Sequence, residues 1–205
     1  SNNLDFCFPV PVEARPGIHD TNFKAFKKYQ KYNLHFYEEW SIYYLGFNLE
    51  KPIFRDNKKL RQALNYAIDR DKIAEKVVFN GKMPLGKPIP NSMKGIKKNI
   101  GYNYDPDKAK KLLEESGYPE GRGLEPIQLD YNLSGGENKQ IIEAVQLYLQ
   151  KIGVNVVPQA MAWTQYIDHL RFGNSQFYRL GWILDYPDIE NIFQLFYSKN
   201  FSPAG

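Results

Sequence analysis

The chain has 205 residues, of which 42% are hydrophobic and 24% are charged, so its composition predicts a packed globular protein rather than a disordered one. The 27 Lys and Arg residues against 23 Asp and Glu residues leave a net charge of +4, which is too small to favour a nucleic-acid partner. No apolar run reaches the roughly 18 residues needed to cross a bilayer. The single cysteine, Cys7, excludes an internal disulfide and a CxxC zinc site. We expect one large domain or two small ones, with no cofactor and no metal.

The N-terminal half begins with weakly marked elements. Leu4–Val12 is apolar but interrupted by two prolines, which predicts an edge strand or a connector. Asn22–Tyr32 predicts a short helix. Ser41–Asn48, with the sequence SIYYLGFN, is rich in aromatic and β-branched residues and predicts a strand. Residues 81–103 contain several Pro and Gly residues and predict an irregular loop.

Two helices are predicted between that strand and that loop. Asp56 is the expected N-cap of the first helix. Its buried stripe is expected to be Leu60, Ala63, Leu64, Ala67 and Ile68. Asp69 is the expected cap of the second helix. Its inward-facing residues are expected to be Ile73, Ala74, Val77 and Val78.

From residue 105 onward the element boundaries are well marked. Asp105 is the expected N-cap of a helix ending at Ser116, Pro106 takes its first position, and Gly117 supplies the left-handed stop. Strands and helices then alternate with short connections: Ile127–Asn132, Glu137–Ile152, Val154–Pro158, Trp163–Phe172, Phe177–Leu184 and Ile189–Tyr197. This alternation predicts an α/β fold in which parallel strands are joined by right-handed helical crossovers.

Motifs for catalysis or nucleotide binding are not convincing in this sequence. Gly81–Pro88 (GKMPLGKP) nearly matches a phosphate-binding loop, but Pro88 replaces the required Ser or Thr and lacks an N–H. The three histidines, His19, His35 and His169, lie in separate segments without metal-ligand spacing. No nucleophile and base can be paired from the sequence. The pattern therefore favours binding over chemistry.

The end of the last predicted strand carries the candidate binding residues. Asp185 follows the strand Phe177–Leu184, and ligands of open α/β sheets bind outside the carboxyl ends of parallel strands. Asp188 stands just before the next helix and can cap it, which frees Asp185 to pair with an ammonium group. Trp182 and Tyr186 can supply flat walls with polar handles.

Five segments between Tyr43 and Asn200 resemble, in order, those of a known protein family. They read YYLGFN, FRDNKKLRQALNYAIDRDKI, KPIPNSM, YNYDPDKAKKLLEESGYPEGRG and GWILDYPDIENIFQLFYSKN. The family they resemble is the extracellular solute-binding proteins of ABC importers, family 5, the dipeptide- and oligopeptide-binding type. The resemblance implies a type II periplasmic-binding-protein lobe, with a mixed or parallel sheet flanked by helices.

The resemblance also implies roles for particular residues. Asp185 occupies the position of the acid that pairs with the free amino group of a peptide, and Trp182 matches a pocket tryptophan. Arg179 falls where some members keep an arginine for the peptide carboxylate, although it could equally serve the structure of the lobe. At ~3.3 Å per residue a straight strand would separate Arg179 from Asp185 by roughly 20 Å on one face, enough to bracket a short peptide.

Members of this family are longer and bilobal, so the resemblance implies a domain assignment. Residues 1-40 would be a connector and edge segment of the first lobe, and residues 41-205 a second lobe truncated at its C-terminal end. The expected partners are a peptide or small solute and an ABC permease, with no nucleic acid. Membrane association would come only through the permease or a lipid anchor outside this chain. The chain would be a monomer outside the cytoplasm, in the periplasm or cell envelope.

Other ligands remain open at this point. Related members bind nickel complexes, haem, sugars or opines, although an acidic Asp185 favours a cationic group. An α/β enzyme domain would need a nucleophile and base that the sequence does not offer. A nucleic-acid-binding module would rest on lysines that leave only a small net charge. Because one lobe cannot enclose a ligand, we expect weak or undetectable peptide affinity for this chain alone.

Overall fold

The computed structural model describes residues 14–20, 22–35, 39–79, 84–90, 93, 101–134 and 136–200. The predicted edge strand Leu4–Val12, with Cys7, lies outside these residues, as do positions 81–83 of the rejected phosphate-loop motif. Among the described residues, no helix has the length and apolar character needed to span a lipid bilayer.

A four-stranded mixed sheet organises the described part of the chain. Its strands are β1 Ser41–Phe47, β2 Ile127–Asn132, β3 Val156–Met161 and β4 Phe177–Ile183. They lie in the order β1-β4-β2-β3. Strands β2, β3 and β4 are parallel, whereas β1 pairs antiparallel with β4. The predicted α/β class and the parallel arrangement of the last three strands are confirmed.

Helices of different lengths surround the sheet. The described α-helices are α1 Arg15–Ile18, α2 Pro52–Arg55, α3 Lys58–Ala67, α4 Arg70–Lys72, α5 Pro106–Glu115, α6 Glu137–Gln150, α7 Trp163–Arg171 and α8 Glu190–Phe193. A π-helical turn, Ile73–Val77, continues α4. The 3₁₀ turns are Lys27–Tyr29, Pro119–Gly121, Gln194–Phe196 and Ser198–Asn200.

Capping side chains mark several helix starts. The carboxylates of Asp69 and Asp105 each accept a backbone N–H of the first helical turn, at 2.9 Å, as predicted. The predicted cap of α3 was wrong by one residue. Asn57, not Asp56, accepts the Leu60 N–H at 3.0 Å, because Asp56 still lies at the end of α2 and pairs with exposed Arg55.

The main core lies between the sheet and helices α3, α5 and α6. The buried stripe predicted for α3 is confirmed, because each of its residues is at most 7% exposed. Alternate residues of β2 enter this core, as do Phe47 of β1 and Phe177 of β4. The rings of Phe47 and Phe177 are stacked, with centroids 5.0 Å apart. Burial of this apolar surface is the main driving force for the fold.

The opposite face of the sheet carries α7, because the crossovers after β2 and β3 leave in opposite directions along the sheet. Tyr166 of α7 is buried there, and its hydroxyl donates to the backbone oxygens of Asp130 and Arg179. The buried Asp130 carboxylate accepts from Ser175 and Gln128, and His169 lies 3.3 Å away. These polar contacts tie α7 and the segment before β4 to the middle of the sheet.

A smaller apolar cluster lies at the end of β4. Its buried members are Ile42, Met93, Leu184 and Ile192, and its partly buried members are Tyr44, Leu85, Ile89, Trp182 and Leu195. Side chains alternate along a strand, so Trp182 and Arg179 of β4 point to opposite faces. Trp182 enters the smaller cluster, whereas the partner of Arg179 in β1, Leu45, packs against the main core.

Several predicted boundaries differ from the structure. Strand β3 begins at Val156 rather than Val154 and runs to Met161, and Val154 is buried before the strand starts. The predicted helix Ile189–Tyr197 is an α-helical turn followed by a 3₁₀ turn. The helix predicted within Asn22–Tyr32 is limited to the 3₁₀ turn Lys27–Tyr29.

Candidate functional site

The candidate site lies at one edge of the sheet, where the three parallel strands end. Asn132 and Met161 close β2 and β3 side by side, and Leu133 donates its backbone N–H to the Met161 oxygen at 2.8 Å. Leu184, Asp185 and Tyr186 follow the end of β4 at the same edge. This is the position where open α/β sheets bind ligands.

Trp182 and Asp185 are connected through one buried amide. The Trp182 indole Nε1–H donates to Oδ1 of Asn191 at 2.7 Å. Nδ2 of the same Asn191 donates to Oδ2 of Asp185 at 3.4 Å. Asn191 is 1% exposed, whereas Asp185 is exposed to solvent. The carboxylate is therefore accessible to a ligand while one of its oxygens contacts the protein.

The prediction that Asp188 caps α8 is wrong by one residue, because the N-cap position is Ile189, which makes no side-chain cap hydrogen bond. Asp188 nevertheless contacts the start of the helix. Its carboxylate accepts the Glu190 N–H at 2.9 Å, and its backbone oxygen accepts the Asn191 N–H at 3.2 Å. The helix begins one residue later than expected, at Glu190. Asp185 also contacts α8, because its carboxylate accepts a hydrogen bond from the side-chain amide of Asn191.

Exposed aromatic residues extend the site beyond Tyr186. Tyr186 is 46% exposed and lines an open groove of about 650 Å³. The other lining residues are Glu190, Phe193, Gln194, Phe196, Tyr197 and Asn200. Such a groove offers apolar contact area with polar groups at its margin.

Arg179 is held on the other face of the sheet. Its guanidinium lies over the Tyr43 ring, with Cζ 4.2 Å from the centroid, and Nη1 donates to Oδ1 of Asn132 at 2.8 Å. Nδ2 of buried Asn138 donates to the backbone oxygen of Asn132 at 3.0 Å, which fixes the end of β2. The structure therefore brings Trp182, Asp185 and Tyr186 to one edge but does not place Arg179 on the face of Trp182.

The two tyrosines of β1 next to this site are neutral at physiological pH. Burial raises the pKa of the Tyr43 phenol far above its usual value, and the neighbouring Arg179 guanidinium lowers it by a smaller amount. Burial also raises the pKa of Tyr44 to about 12. Tyr43 therefore offers Arg179 a π-face rather than a counter-charge. Asn132 is also neutral, so neither of these two contacts supplies a counter-charge to Arg179.

Two residues at the carboxyl edge of the sheet were missed from the sequence. Asn191 contacts both Trp182 and Asp185, but its separation from them along the chain carries no pattern that points to a contact. Trp163 begins α7 two residues after β3 ends at the carboxyl edge of the sheet, and it is 54% exposed. Like Asp185, Trp163 follows the end of a parallel strand, and this position is the signal in the sequence that indicates it.

Metal binding has no support in this region or elsewhere in the described part of the chain. Among those residues, no group of three or more His, Cys, Asp or Glu side chains is arranged to hold a metal ion. A smaller polar cavity of about 210 Å³ is lined by Lys51, Gln128, Asp130, Asn174 and Gln176. Its Asp130 carboxylate already accepts hydrogen bonds from Gln128 and Ser175.

The fold and the site define a class of protein, an α/β lobe of the periplasmic-binding-protein type. Residues 13–203 match the sequence family described as bacterial extracellular solute-binding proteins, family 5 (middle). The chain therefore belongs to family 5 of the bacterial extracellular solute-binding proteins. The match covers all four strands and the whole of the candidate site.

Individual relatives agree with this assignment. The chain is 37% identical over 168 residues to the oligopeptide-binding protein OppA of Bacillus subtilis, covering 78% of this chain and 30% of that protein. It is 31% identical over 170 residues to the dipeptide-binding protein of Escherichia coli, covering 80% of this chain and 31% of that protein. The chain thus spans about a third of the length of the curated relatives it matches.

A solved structure shows the same fold. The periplasmic oligopeptide-binding protein of Borrelia burgdorferi superposes with a TM-score of 0.74 at 30% sequence identity. The superposition covers 82% of this chain and 34% of that structure. The arrangement of strands and helices is therefore shared with a peptide-binding protein of this family.

Proposed function

We propose that this chain forms one lobe of the substrate-binding component of an ABC importer and captures peptides for delivery to a permease. It binds without catalysing a reaction, outside the cytoplasmic membrane. Relatives whose names describe oligopeptide and dipeptide binding support this proposal. The observation that carries it is the exposed Asp185 carboxylate, which is held beside Trp182 and Tyr186 at the carboxyl edge of the sheet.

In this proposal Asp185 accepts the free ammonium group of the peptide, because a charge-assisted hydrogen bond is stronger than a neutral one. Trp182, Tyr186 and the exposed Trp163 provide walls for the peptide side chains. Arg179 is the candidate for the peptide carboxylate. Since Arg179 and Trp182 point to opposite faces of β4, a peptide that reaches both would cross the edge of the sheet rather than follow the strand.

The domain assignment belongs to the same proposal. Residues 1-40 would belong to a connector and edge segment of the first lobe, and residues 41-205 to the second lobe. The ligand would be enclosed when two such lobes close around a hinge. We also propose that the protein is a monomer that reaches the membrane only through its permease or a lipid anchor.

The proposal is tested by NMR titration of the chain with dialanine and N-acetyl-dialanine at high concentration, because a single lobe is expected to bind weakly. Asp185→Asn should reduce the affinity for the free-amine peptide at least about tenfold and leave that for the acetylated peptide unchanged. Asp188→Asn is the matched control, since it makes the same charge change and its side chain can still accept the Glu190 N–H. Equal losses for the two peptides in Asp185→Asn would exclude Asp185 as the amine partner.

The need for a second lobe is tested by calorimetry on the unmodified chain. We expect weak or undetectable heats with short peptides, because an open edge leaves most of a bound peptide in water. Nanomolar binding by the chain alone would contradict the proposed clamp.

A further inference from the structure

We propose that Asn191 is a positioning residue of this site, whose side-chain amide accepts a hydrogen bond from the Trp182 indole and orients the Asp185 carboxylate. The inference rests on the proposed function, because it explains what keeps the amine-binding carboxylate in place. Asn191 lies in the short helix α8, and none of its side-chain contacts was expected from the sequence.

Asn191 is buried, so its two side-chain contacts are needed to satisfy the hydrogen-bonding groups of its amide. The residue is 1% exposed, so its amide has little access to water and needs partners within the protein. Oδ1 accepts from Trp182, and Nδ2 donates to Asp185. Both ends of this one buried amide are therefore engaged by residues of the candidate site.

The chemistry of the indole determines which way the amide points. An indole N–H can only donate, so at 2.7 Å it requires the oxygen of Asn191 rather than the nitrogen. With Oδ1 directed at Trp182, Nδ2 is directed at Asp185. A rotated amide would set two donors against each other at Trp182 and two acceptors against each other at Asp185. The contact with Trp182 therefore determines that the NH₂ group of Asn191, and not its oxygen, faces the Asp185 carboxylate.

The indole itself is anchored by packing. Trp182 lies against the apolar cluster that contains Ile42, Leu184 and Ile192. Asn191 is adjacent to Ile192 in α8, and Gln194 donates to its backbone oxygen at 3.0 Å. Asn191 is therefore held by a backbone hydrogen bond and by its contact with a packed indole ring. The Asp185 side chain, by contrast, is exposed.

This arrangement has a consequence for ligand binding. An exposed carboxylate loses rotational freedom when it pairs with an ammonium group, and restricting it beforehand lowers that cost. The contact from Asn191 is long, at 3.4 Å, and uses Oδ2 of Asp185. It can orient the carboxylate while Oδ1 accepts a hydrogen bond from the ligand.

The test compares Asn191→Ala with Asn57→Ala. Asn57 is the matched control because it is also a structural asparagine, which caps α3 and donates to the Ser116 oxygen far from the site. The first readout is the indole N–H resonance of Trp182, assigned among the three tryptophans with Trp182→Phe. The second is the ratio of affinities for dialanine and N-acetyl-dialanine.

We expect Asn191→Ala to move the Trp182 resonance and to reduce the free-amine preference on the order of fivefold. Asn57→Ala should lower stability and change neither readout. Trp182→Phe keeps Asn191 but removes the donor that orients its amide, so it should also reduce the preference. This second variant tests the inference even if Asn191→Ala does not fold.

The results distinguish a failure of the positioning role of Asn191 from a failure of the proposed function. If Asp185→Asn abolishes the amine preference but Asn191→Ala and Trp182→Phe retain it, the positioning role is overturned and the proposed function stands. An unmoved Trp182 resonance in a folded Asn191→Ala variant also overturns the positioning role. If Asp185→Asn itself retains the preference, the proposed amine site fails, and the positioning role fails with it.

Discussion

The guanidinium of Arg179 lies over the ring of Tyr43, with Cζ 4.2 Å from the ring centroid. The two residues belong to neighbouring strands, β4 and β1, and Arg179 also donates to Asn132 at the end of β2. Arg179 therefore connects three adjacent strands next to the candidate site. Both of these partners are neutral, so neither contact supplies a counter-charge to the Arg179 guanidinium.

We predict that Arg179→Gln lowers the free energy of unfolding by about 1–2 kcal/mol, since it removes a partly buried cation–π contact and a charged hydrogen bond. Arg122→Gln is the control, because Arg122 pairs with Glu120 at the surface, where both side chains are highly exposed. This control should change stability by less than about 0.5 kcal/mol. Urea unfolding measures both, and equal midpoints would show that the Tyr43 contact adds no stability.

Gly117 and Gly153 have similar positive φ angles, so the effects of an alanine substitution on stability can be compared at the two positions. Gly117 has φ +95 and an added Cβ would meet nothing within 4 Å, so Gly117→Ala introduces backbone strain alone. Gly153 has φ +88, and its Cβ would lie 2.1 Å from the Glu120 backbone oxygen. We predict a loss of about 1 kcal/mol for Gly117→Ala and at least about 2 kcal/mol more for Gly153→Ala. Chemical denaturation of both variants tests this, and similar losses would mean that the Glu120 backbone moves aside at little cost.

Alkaline pH should destabilise the fold through its buried phenols. Burial raises the pKa of Tyr44 to about 12 from its usual value of 10.0, and it also raises the pKa of Tyr43 and Tyr166. Above pH 10 the unfolded chain releases protons that the folded chain retains, so stability falls as pH rises. The stability contribution is complete below pH 10 and is lost through about pH 12 for Tyr44.

Denaturant unfolding measured at increasing alkaline pH checks this prediction, and the ultraviolet absorbance of phenolate reports ionisation directly. Tyr44→Phe removes one of the raised groups and should make the decline shallower. A stability that does not change across this pH range would show that these phenols ionise without unfolding.

Local sequence signals were reliable where one residue decides the local structure. Asp105, Pro106 and Gly117 delimit α5 as predicted, because capping, a fixed φ and a left-handed stop act within a few residues. The cap of α3 was misplaced at Asp56 because a short helix, α2, occupies the preceding residues. The residues of α3 alone do not show where the preceding helix α2 ends, so they could not identify which residue caps α3.

In the candidate site, too, some features followed from the sequence and others did not. Strand order along the chain was enough to place Asp185 at the carboxyl edge, because parallel strands joined by helices end on one side. The expected alignment of Arg179 with Asp185 assumed that β4 continues to Asp185, but the strand ends at Ile183. Asn191 could not be selected at all, since its contact with Trp182 depends on how α8 folds back against β4.

The sequence by itself determined the α/β class, the parallel strands, the position of Asp185 and the family resemblance, because these depend on short-range periodicity, capping and chain order. Only the tertiary structure decided that Arg179 lies over the Tyr43 ring and that one buried amide connects Trp182 with Asp185. Hydrogen bonds between side chains depend on distances of a few ångströms between separately folded elements. Such distances are set by the packing of all these elements together, and no periodic pattern in the sequence indicates them.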